Sequence, residues 1–140
     1  MNRAGREKSA AYWAGSKVLQ IWRSQILVEE GAIKLLSPES LDPSVEKFYI
    51  GEVNGQHYFA VNVEIAEGLG SSLREIVSNV DSQLLEVAVT SLALVNWHET
   101  HSHCPRCGSK TTVIENGWVR ECVADGTHHF PRTDPAIIVA

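Results

Sequence analysis

The chain has 140 residues, of which 44% are apolar and 21% are charged, and its formal net charge at pH 7 is −5. This length suits one ordinary domain, or one compact domain with a small module beside it. No apolar run approaches the ~18 residues that a membrane span requires, so we expect no membrane association. The net negative charge argues against nucleic-acid binding driven by phosphate attraction alone. The beginning of the chain lacks a signal-peptide pattern and its three cysteines suit a reduced compartment, so we expect a cytoplasmic location.

The first half of the chain has the apolar runs and turn signals of short β-strands. Residues 18–22 and 25–28 are apolar and rich in β-formers. Asn54-Gly55 separates two further runs, and an Asn-Gly pair in that position predicts a hairpin with a type I′ turn. We therefore expect a mostly antiparallel sheet in this region.

Two helices are predicted after this sheet. The first begins with a capping box at Ser72, and the second begins with a cap at Asp81 or Ser82 and runs to about Glu99. The apolar stripe of the longer helix is broad and includes Val89, which predicts a mostly buried helix packed on the preceding sheet. Together with the strands, these helices predict an α+β fold class.

Residues 104–108, Cys-Pro-Arg-Cys-Gly, form a tight turn that points two thiols at one centre. Such a turn is half of a tetrahedral zinc site, and the other reading is a pair of ordinary thiols. Cys122 is the natural third ligand, because a predicted hairpin with its turn at residues 115–117 returns the chain to Cys104 and Cys107. The sequence therefore predicts a small zinc-ribbon module with a structural zinc ion.

The sequence leaves more than one candidate for the fourth ligand. Asp125 stands where a second Cys-x-x-Cys pair would have its second cysteine, and a carboxylate oxygen can bind zinc. His128 and His129 are the alternatives, if the loop before them folds back toward the metal. A further alternative is that Asp125 marks a site that has lost its zinc.

Several other side chains in this region have ordinary interpretations. His98 lies near the end of the long helix, where we expect a solvated or capping role. Arg120 is expected to be surface charge, either scattered or part of a small basic patch. Trp118 is expected to pack over the hairpin of the ribbon.

Residues 97–140 resemble the NADH pyrophosphatases of the Nudix hydrolase superfamily. The resemblance depends on residues 104–108, Gly117-Trp118 and Cys122, and above all on residues 129–138, His-Phe-Pro-Arg-Thr-Asp-Pro-Ala-Ile-Ile. A weaker resemblance to the N-terminal domain of that family covers most of the rest of the chain.

The resemblance implies an N-terminal α+β domain over residues 1–98, a zinc ribbon over residues 99–132 and the start of a Nudix domain over residues 133–140. It implies an enzyme that hydrolyses the diphosphate of NADH or NAD to a nicotinamide mononucleotide and AMP. It also implies Mg²⁺ or Mn²⁺ as catalytic metals, a homodimer, and NAD-capped RNA as a substrate of some members.

The glutamate-rich Nudix box of that family is absent from this sequence. Residues 74–76, Arg-Glu-Ile, lack the paired glutamates that must follow, and the chain ends near the first Nudix strand at residues 137–140. We therefore expect a portion that supports dimerisation and pocket assembly and cannot hydrolyse NADH alone. Phe130 is expected either to line the nucleotide pocket or to pack within the ribbon. An alternative of a different class is a non-catalytic zinc-ribbon module that binds nucleic acid or a protein partner.

Overall fold

A computed structural model describes residue 1 and residues 9–132 of the chain. The helices and strands are α1 (Ser9–Tyr12), β1 (Lys17–Trp22), β2 (Gln25–Glu29), β3 (Ala32–Ile33), β4 (Leu35–Leu36), β5 (Lys47–Val53), β6 (Gln56–Asn62), β7 (Gly70–Ser71), α2 (Leu73–Ile76), α3 (Ser82–Thr100), β8 (Thr111–Ile114), β9 (Val119–Cys122) and β10 (His128–His129). Single 3₁₀ turns occupy Pro38–Ser40, Val77–Asn79 and Glu115–Gly117. The predicted α+β fold class is confirmed. The predicted first Nudix strand lies outside the described residues.

The larger sheet contains the first seven strands. Its order is β3-β2-β1-β6-β5, with β4 paired to β1 and β7 paired to β2. β1 and β6 run parallel, and the other described pairings are antiparallel, as expected for a mostly antiparallel sheet. The hairpin of β5 and β6 turns at Asn54 and Gly55, whose φ angles of 50° and 79° are those of a type I′ turn.

Both faces of this sheet are buried, because successive side chains of a strand point to opposite faces. On β5, Phe48 and Ile50 belong to the core beneath α3, and Tyr49 between them belongs to a second cluster on the other face. The second cluster also contains Val18 and Phe59, with Tyr12 of α1 packed against it. The sheet therefore forms the middle layer of the N-terminal region.

The long helix α3 begins where the sequence predicts, and most of its apolar stripe is buried. The Asp81 carboxylate accepts hydrogen bonds from the N–H groups of Gln83 and Leu84, each at 3.0 Å. Val89, which the apolar stripe assigns to the buried face, is 46% exposed, so that part of the prediction is wrong. Among the residues that the structure describes, no helix is both long and apolar enough to cross a membrane.

A smaller sheet of three antiparallel strands, β10-β9-β8, forms the ribbon and shares its core with the N-terminal region. Trp118 is 6% exposed and its indole N–H donates to the carbonyl of Tyr49 on β5 at 2.6 Å. The prediction that Trp118 packs over its own hairpin is therefore wrong. Its ring joins the core beneath α3, and this contact joins the ribbon to the larger sheet.

Gly117 lies where the ribbon turn meets β5. Its φ angle is 101°, and a Cβ built on it would lie 2.7 Å from Cδ1 and 2.9 Å from Cβ of Phe48. Both the backbone conformation and the close approach therefore require glycine at this position.

Replacing Gly117 with alanine is expected to lower the free energy of unfolding by about 2–5 kcal/mol, because strain at positive φ adds to overpacking against Phe48. The matched control is Gly31→Ala, since Gly31 has a φ of 78° and open space around its Cβ position. The control should lose only about 1–2 kcal/mol of unfolding free energy, which is the cost of backbone strain at positive φ. Urea denaturation of the three proteins measures the difference, and equal losses would show that Phe48 moves aside without cost.

Candidate metal centre

The candidate ligands lie on two turns of the same construction. The N–H of Gly108 donates to the carbonyl of Cys104 at 2.9 Å, and the N–H of Gly126 donates to the carbonyl of Cys122 at 3.0 Å. The two glycines have φ angles of 74° and 68°. Each turn therefore has one candidate metal ligand at its first position and a second candidate ligand three residues later, followed by glycine. Asp125 occupies in the second turn the place that Cys107 occupies in the first.

The pairing of β8 with β9 brings the two turns together. Thr111 lies opposite Cys122 in this ladder, and Cys122 is at the end of its strand. The Sγ atoms of Cys104, Cys107 and Cys122 and a carboxylate oxygen of Asp125 all lie within 4.8 Å of one another. The Sγ atoms of Cys107 and Cys122 are 3.5 Å apart.

The four donors differ in exposure. Cys104 and Cys122 are buried, whereas Cys107 and Asp125 are exposed. Hydrogen bonds from the hydroxyl and the N–H of Thr127 lower the pKa of Asp125 to about 2, so the carboxylate is ionised at neutral pH. Burial raises the pKa of the Cys122 thiol to about 11. A bound cation would reverse this effect, because a coordinating thiol loses its proton.

This donor set fits zinc. Three thiol groups and one carboxylate that converge from two turns can supply the four ligands of a closed tetrahedral site. Sulfur donors favour zinc over magnesium or calcium, which prefer oxygen ligands alone. Because all four positions would be filled by the protein, the site has the composition of a structural centre rather than a catalytic one.

The two histidine alternatives lie outside this group of donors. His128 pairs through Nε2 with a carboxylate oxygen of Glu121 at 3.0 Å. The Nε2 of His129 is buried and has no hydrogen-bond partner among the described residues. Both residues lie on β10, beyond the second turn. The role of Thr127 has a local sequence signal, because Asp-x-Thr is a pattern in which a carboxylate accepts from the backbone two residues later.

Next to the metal centre, a buried polar network connects the ribbon to α3. It consists of His98, the carbonyl of Gly117, Arg120 and Thr111, and we call it the His98–Arg120 network. The Nε2 of His98 lies 2.8 Å from the carbonyl oxygen of Gly117, and Nη1 of Arg120 lies 2.9 Å from Nδ1 of His98. Arg120 also donates from Nε to the Thr111 hydroxyl at 2.7 Å and from Nη2 to the Thr111 carbonyl at 3.1 Å.

The partners of His98 determine its protonation. A carbonyl only accepts, so Nε2 must carry a proton, and a guanidinium only donates, so Nδ1 must be bare. His98 is therefore the neutral Nε2–H tautomer, stacked on Phe48 with ring centroids 4.2 Å apart. Burial lowers the pKa of His98 from 6.5 to about 4, and the nearby charge of Arg120 acts in the same direction.

The predictions for His98 and Arg120 are wrong. His98 is 6% exposed and Arg120 is 8% exposed, so neither is a solvated surface group. A signal for Arg120 was present in the sequence, because it alternates with Cys122 along β9 and must share the face of that cysteine. Helical spacing gives a signal for the burial of His98, which lies three and four residues after the buried Val95 and Leu94, but its polar partners are 19 and 22 residues away.

The neutral state of His98 predicts a loss of stability in acid. Because its pKa is lower in the folded chain, the unfolded chain takes up the proton first as the pH falls below 6.5. The contribution of His98 is fully present above pH 6.5 and falls by about 3 kcal/mol by pH 4. Chemical denaturation across this range measures the loss.

The control is His98→Gln, whose amide can donate to Gly117 and accept from Arg120 but does not titrate. Its unfolding free energy should be less dependent on pH than that of the parent between pH 6.5 and 4. Identical pH profiles for the two proteins would show that His98 is not the responsible group.

An apolar groove of about 460 Å³ lies beside the ribbon. Val89, Ala93 and Trp97 of α3 line it together with Trp118 and Phe130. Phe130 follows β10 and is 61% exposed. The structure therefore brings Phe130 to the rim of an open groove, where its ring is accessible.

Comparisons with known proteins agree with this geometry. The family model of the NADH pyrophosphatase zinc ribbon domain matches residues 99–130. The NAD-capped RNA hydrolase NudC of Mycobacterium tuberculosis (strain ATCC 25618 / H37Rv) is 31% identical over 150 aligned positions, which cover 97% of this chain and 47% of the relative. The protein of the same name from Vibrio atlanticus (strain LGP32) is 32% identical over 136 positions, which cover 93% of this chain and 47% of the relative.

The chain spans about half the length of these curated relatives. The ribbon match lies on the two turns and three strands described above, and the similarity to the two relatives extends through the N-terminal region. The chain therefore belongs to the NADH pyrophosphatase family of the Nudix superfamily.

Proposed function

We propose that this chain is the N-terminal and zinc-ribbon part of an NAD(H) diphosphatase. The whole protein would hydrolyse the diphosphate of NADH or NAD, free or as the cap of an RNA, to a nicotinamide mononucleotide and AMP. The ribbon match and the two NAD-capped RNA hydrolases among the relatives support this proposal. Mg²⁺ or Mn²⁺ would act in the Nudix part of the whole protein, and residues 1–98, 99–132 and 133–140 would belong to its three successive domains.

The role proposed for this part is structural. A zinc ion held by Cys104, Cys107, Cys122 and Asp125 would supply a tetrahedral cross-link between the two turns of the ribbon. The observation that carries this proposal is the matched construction of the two turns, which brings the four donor atoms within 4.8 Å of one another. The His98–Arg120 network and Trp118 hold the ribbon against α3 and β5.

Phe130 is the residue of this chain that we propose to contact substrate. Its ring is 61% exposed at the rim of the groove, and an exposed aromatic ring can stack on a base. In a protein that joins this chain to a Nudix domain, Phe130→Ala should raise the KM for NADH and leave the zinc content unchanged. An unchanged KM would assign Phe130 to packing alone.

The proposal that this part is structural and that the Nudix part is catalytic is tested by assaying AMP release from NADH in the presence of Mn²⁺. We expect no AMP from the purified chain, because it lacks the Nudix glutamates that would bind the catalytic metals. The M. tuberculosis relative is the matched control under the same conditions. AMP formed by this chain alone, in proportion to its concentration, would contradict the proposal. Homodimer formation, which we also propose, is measured on the same samples by sedimentation.

A further inference from the structure

We propose that Cys107 and Cys122 form an oxidative modification site, in which a peroxide converts the two thiols to a disulfide and expels the metal. This proposal rests on the zinc centre proposed above. It goes beyond that centre because it assigns a chemical reaction to two particular ligands and leaves the third cysteine, Cys104, as a free thiol.

The exposure of the three thiols selects the one that reacts first. Cys104 is 2% exposed and Cys122 is 1% exposed, whereas Cys107 is an exposed residue. Oxidation of cysteine depends on access of the oxidant to the sulfur as well as on thiolate character. A dissolved peroxide therefore meets Cys107 before it meets either of the buried thiols.

A short distance between sulfurs makes Cys122 a partner for Cys107. The Sγ atoms of Cys107 and Cys122 are 3.5 Å apart, and a disulfide bond is about 2.05 Å long. The two residues are 15 positions apart and lie on different turns of the ribbon. The bond would therefore join the same two turns that the metal joins.

The reaction balances with hydrogen peroxide as the oxidant. The Cys107 sulfur attacks one peroxide oxygen, the O–O bond breaks, and the departing hydroxide takes up a proton to form water. The Cys122 sulfur then attacks the Cys107 sulfur of the sulfenic acid and displaces a second hydroxide, which also becomes water. Two thiols and one peroxide thus give one disulfide and two waters, and the peroxide is reduced by two electrons.

Loss of these two ligands removes the basis for metal binding. Only the Cys104 thiolate and the Asp125 carboxylate remain, and a structural zinc site needs four ligands. Asp125 cannot form a disulfide, so the three thiols of this centre give one disulfide and leave one thiol, that of Cys104. The anchors of the ribbon at Trp118 and His98 lie outside the centre and remain in place.

The test is a titration of the zinc-loaded chain with hydrogen peroxide. Released zinc is followed with a chromophoric chelator, free thiols are counted, and the disulfide is mapped by mass spectrometry. We expect the release of one zinc per chain, a fall from three thiols to one, and a peptide pair that joins Cys107 to Cys122. Dithiothreitol and added zinc should restore the starting state, with the intrinsic fluorescence of the four tryptophans, Trp118 among them, unchanged throughout.

Two variants make the test independent of the metal. In the metal-free state, Cys104→Ser should form the disulfide as fast as the parent chain. Cys107→Ser, which keeps the two buried thiols, should be at least about tenfold slower, because the accessible thiol is gone. Equal rates for the two variants, or a mapped bond between Cys104 and Cys107, would overturn the proposal.

The outcomes also separate this proposal from the zinc centre itself. A chain that binds zinc and keeps it during peroxide treatment would contradict the modification site and leave the metal centre standing. A chain that binds no zinc under any condition would contradict both, whatever disulfide it forms.

Discussion

Replacing Trp118 with alanine is expected to lower the free energy of unfolding by about 3–5 kcal/mol, the range found for buried tryptophan and phenylalanine. Its ring is 6% exposed and packs into the core that α3 forms with the larger sheet. The substitution also leaves the carbonyl of Tyr49 without the indole N–H that donates to it at 2.6 Å. Both effects act at the joint between ribbon and sheet, so the ribbon should lose its fixed position on the rest of the chain.

Urea denaturation, followed by circular dichroism, measures the stability loss. The first control, Trp118→Phe, keeps most of the apolar contact and removes the N–H donor, so it should lose about 1–3 kcal/mol. The second control is Trp22→Ala, since Trp22 lies at the partly exposed end of β1. If Trp118→Ala is no less stable than Trp22→Ala, the ribbon is not anchored through Trp118.

Replacing Asp125 with alanine is expected to weaken zinc binding at least about 100-fold. Loss of a partner that only supports a ligand already costs 10–100-fold, and Asp125 is proposed to be a ligand itself. Its carboxylate is ionised, since hydrogen bonds from Thr127 lower its pKa to about 2. A chain with three thiols and no carboxylate would have to recruit water or another side chain as the fourth ligand.

Competition with a chelator of known affinity measures this loss. Asp125→Cys is the matched restoration, because it completes two identical Cys-x-x-Cys-Gly turns, and it should bind zinc at least as tightly as the parent chain. His128→Ala should bind like the parent, since His128 pairs with Glu121. If Asp125→Ala keeps the zinc affinity of the parent and His129→Ala loses it, the fourth ligand is His129 and not Asp125.

The sequence predicts best those features whose cause is local. Asn54 and Gly55 are sufficient for a type I′ turn, and Asp81 caps α3 through the two N–H groups that follow it. The turn that contains Cys104 and Cys107 is also determined by residues close together in the sequence. In each case the deciding chemistry lies within a few residues of the chain.

The features that the sequence does not predict depend on distant partners. Trp118 finds its acceptor 69 residues earlier, on β5, and His98 finds its partners 19 and 22 residues later, on the ribbon. A pattern within one element cannot show which surface of another element will face it. The domain boundary between residues 98 and 99 stays a prediction. The His98–Arg120 network has members on both sides of that boundary.

The most direct measurement of the central claim is zinc K-edge X-ray absorption of the chain, purified without added metal. We predict about one zinc per chain with three sulfur ligands at about 2.3 Å and one oxygen ligand at about 2.0–2.2 Å, as Cys104, Cys107, Cys122 and Asp125 would supply. A chain without zinc, or a spectrum with three sulfurs and the multiple scattering of an imidazole, would contradict the proposed centre.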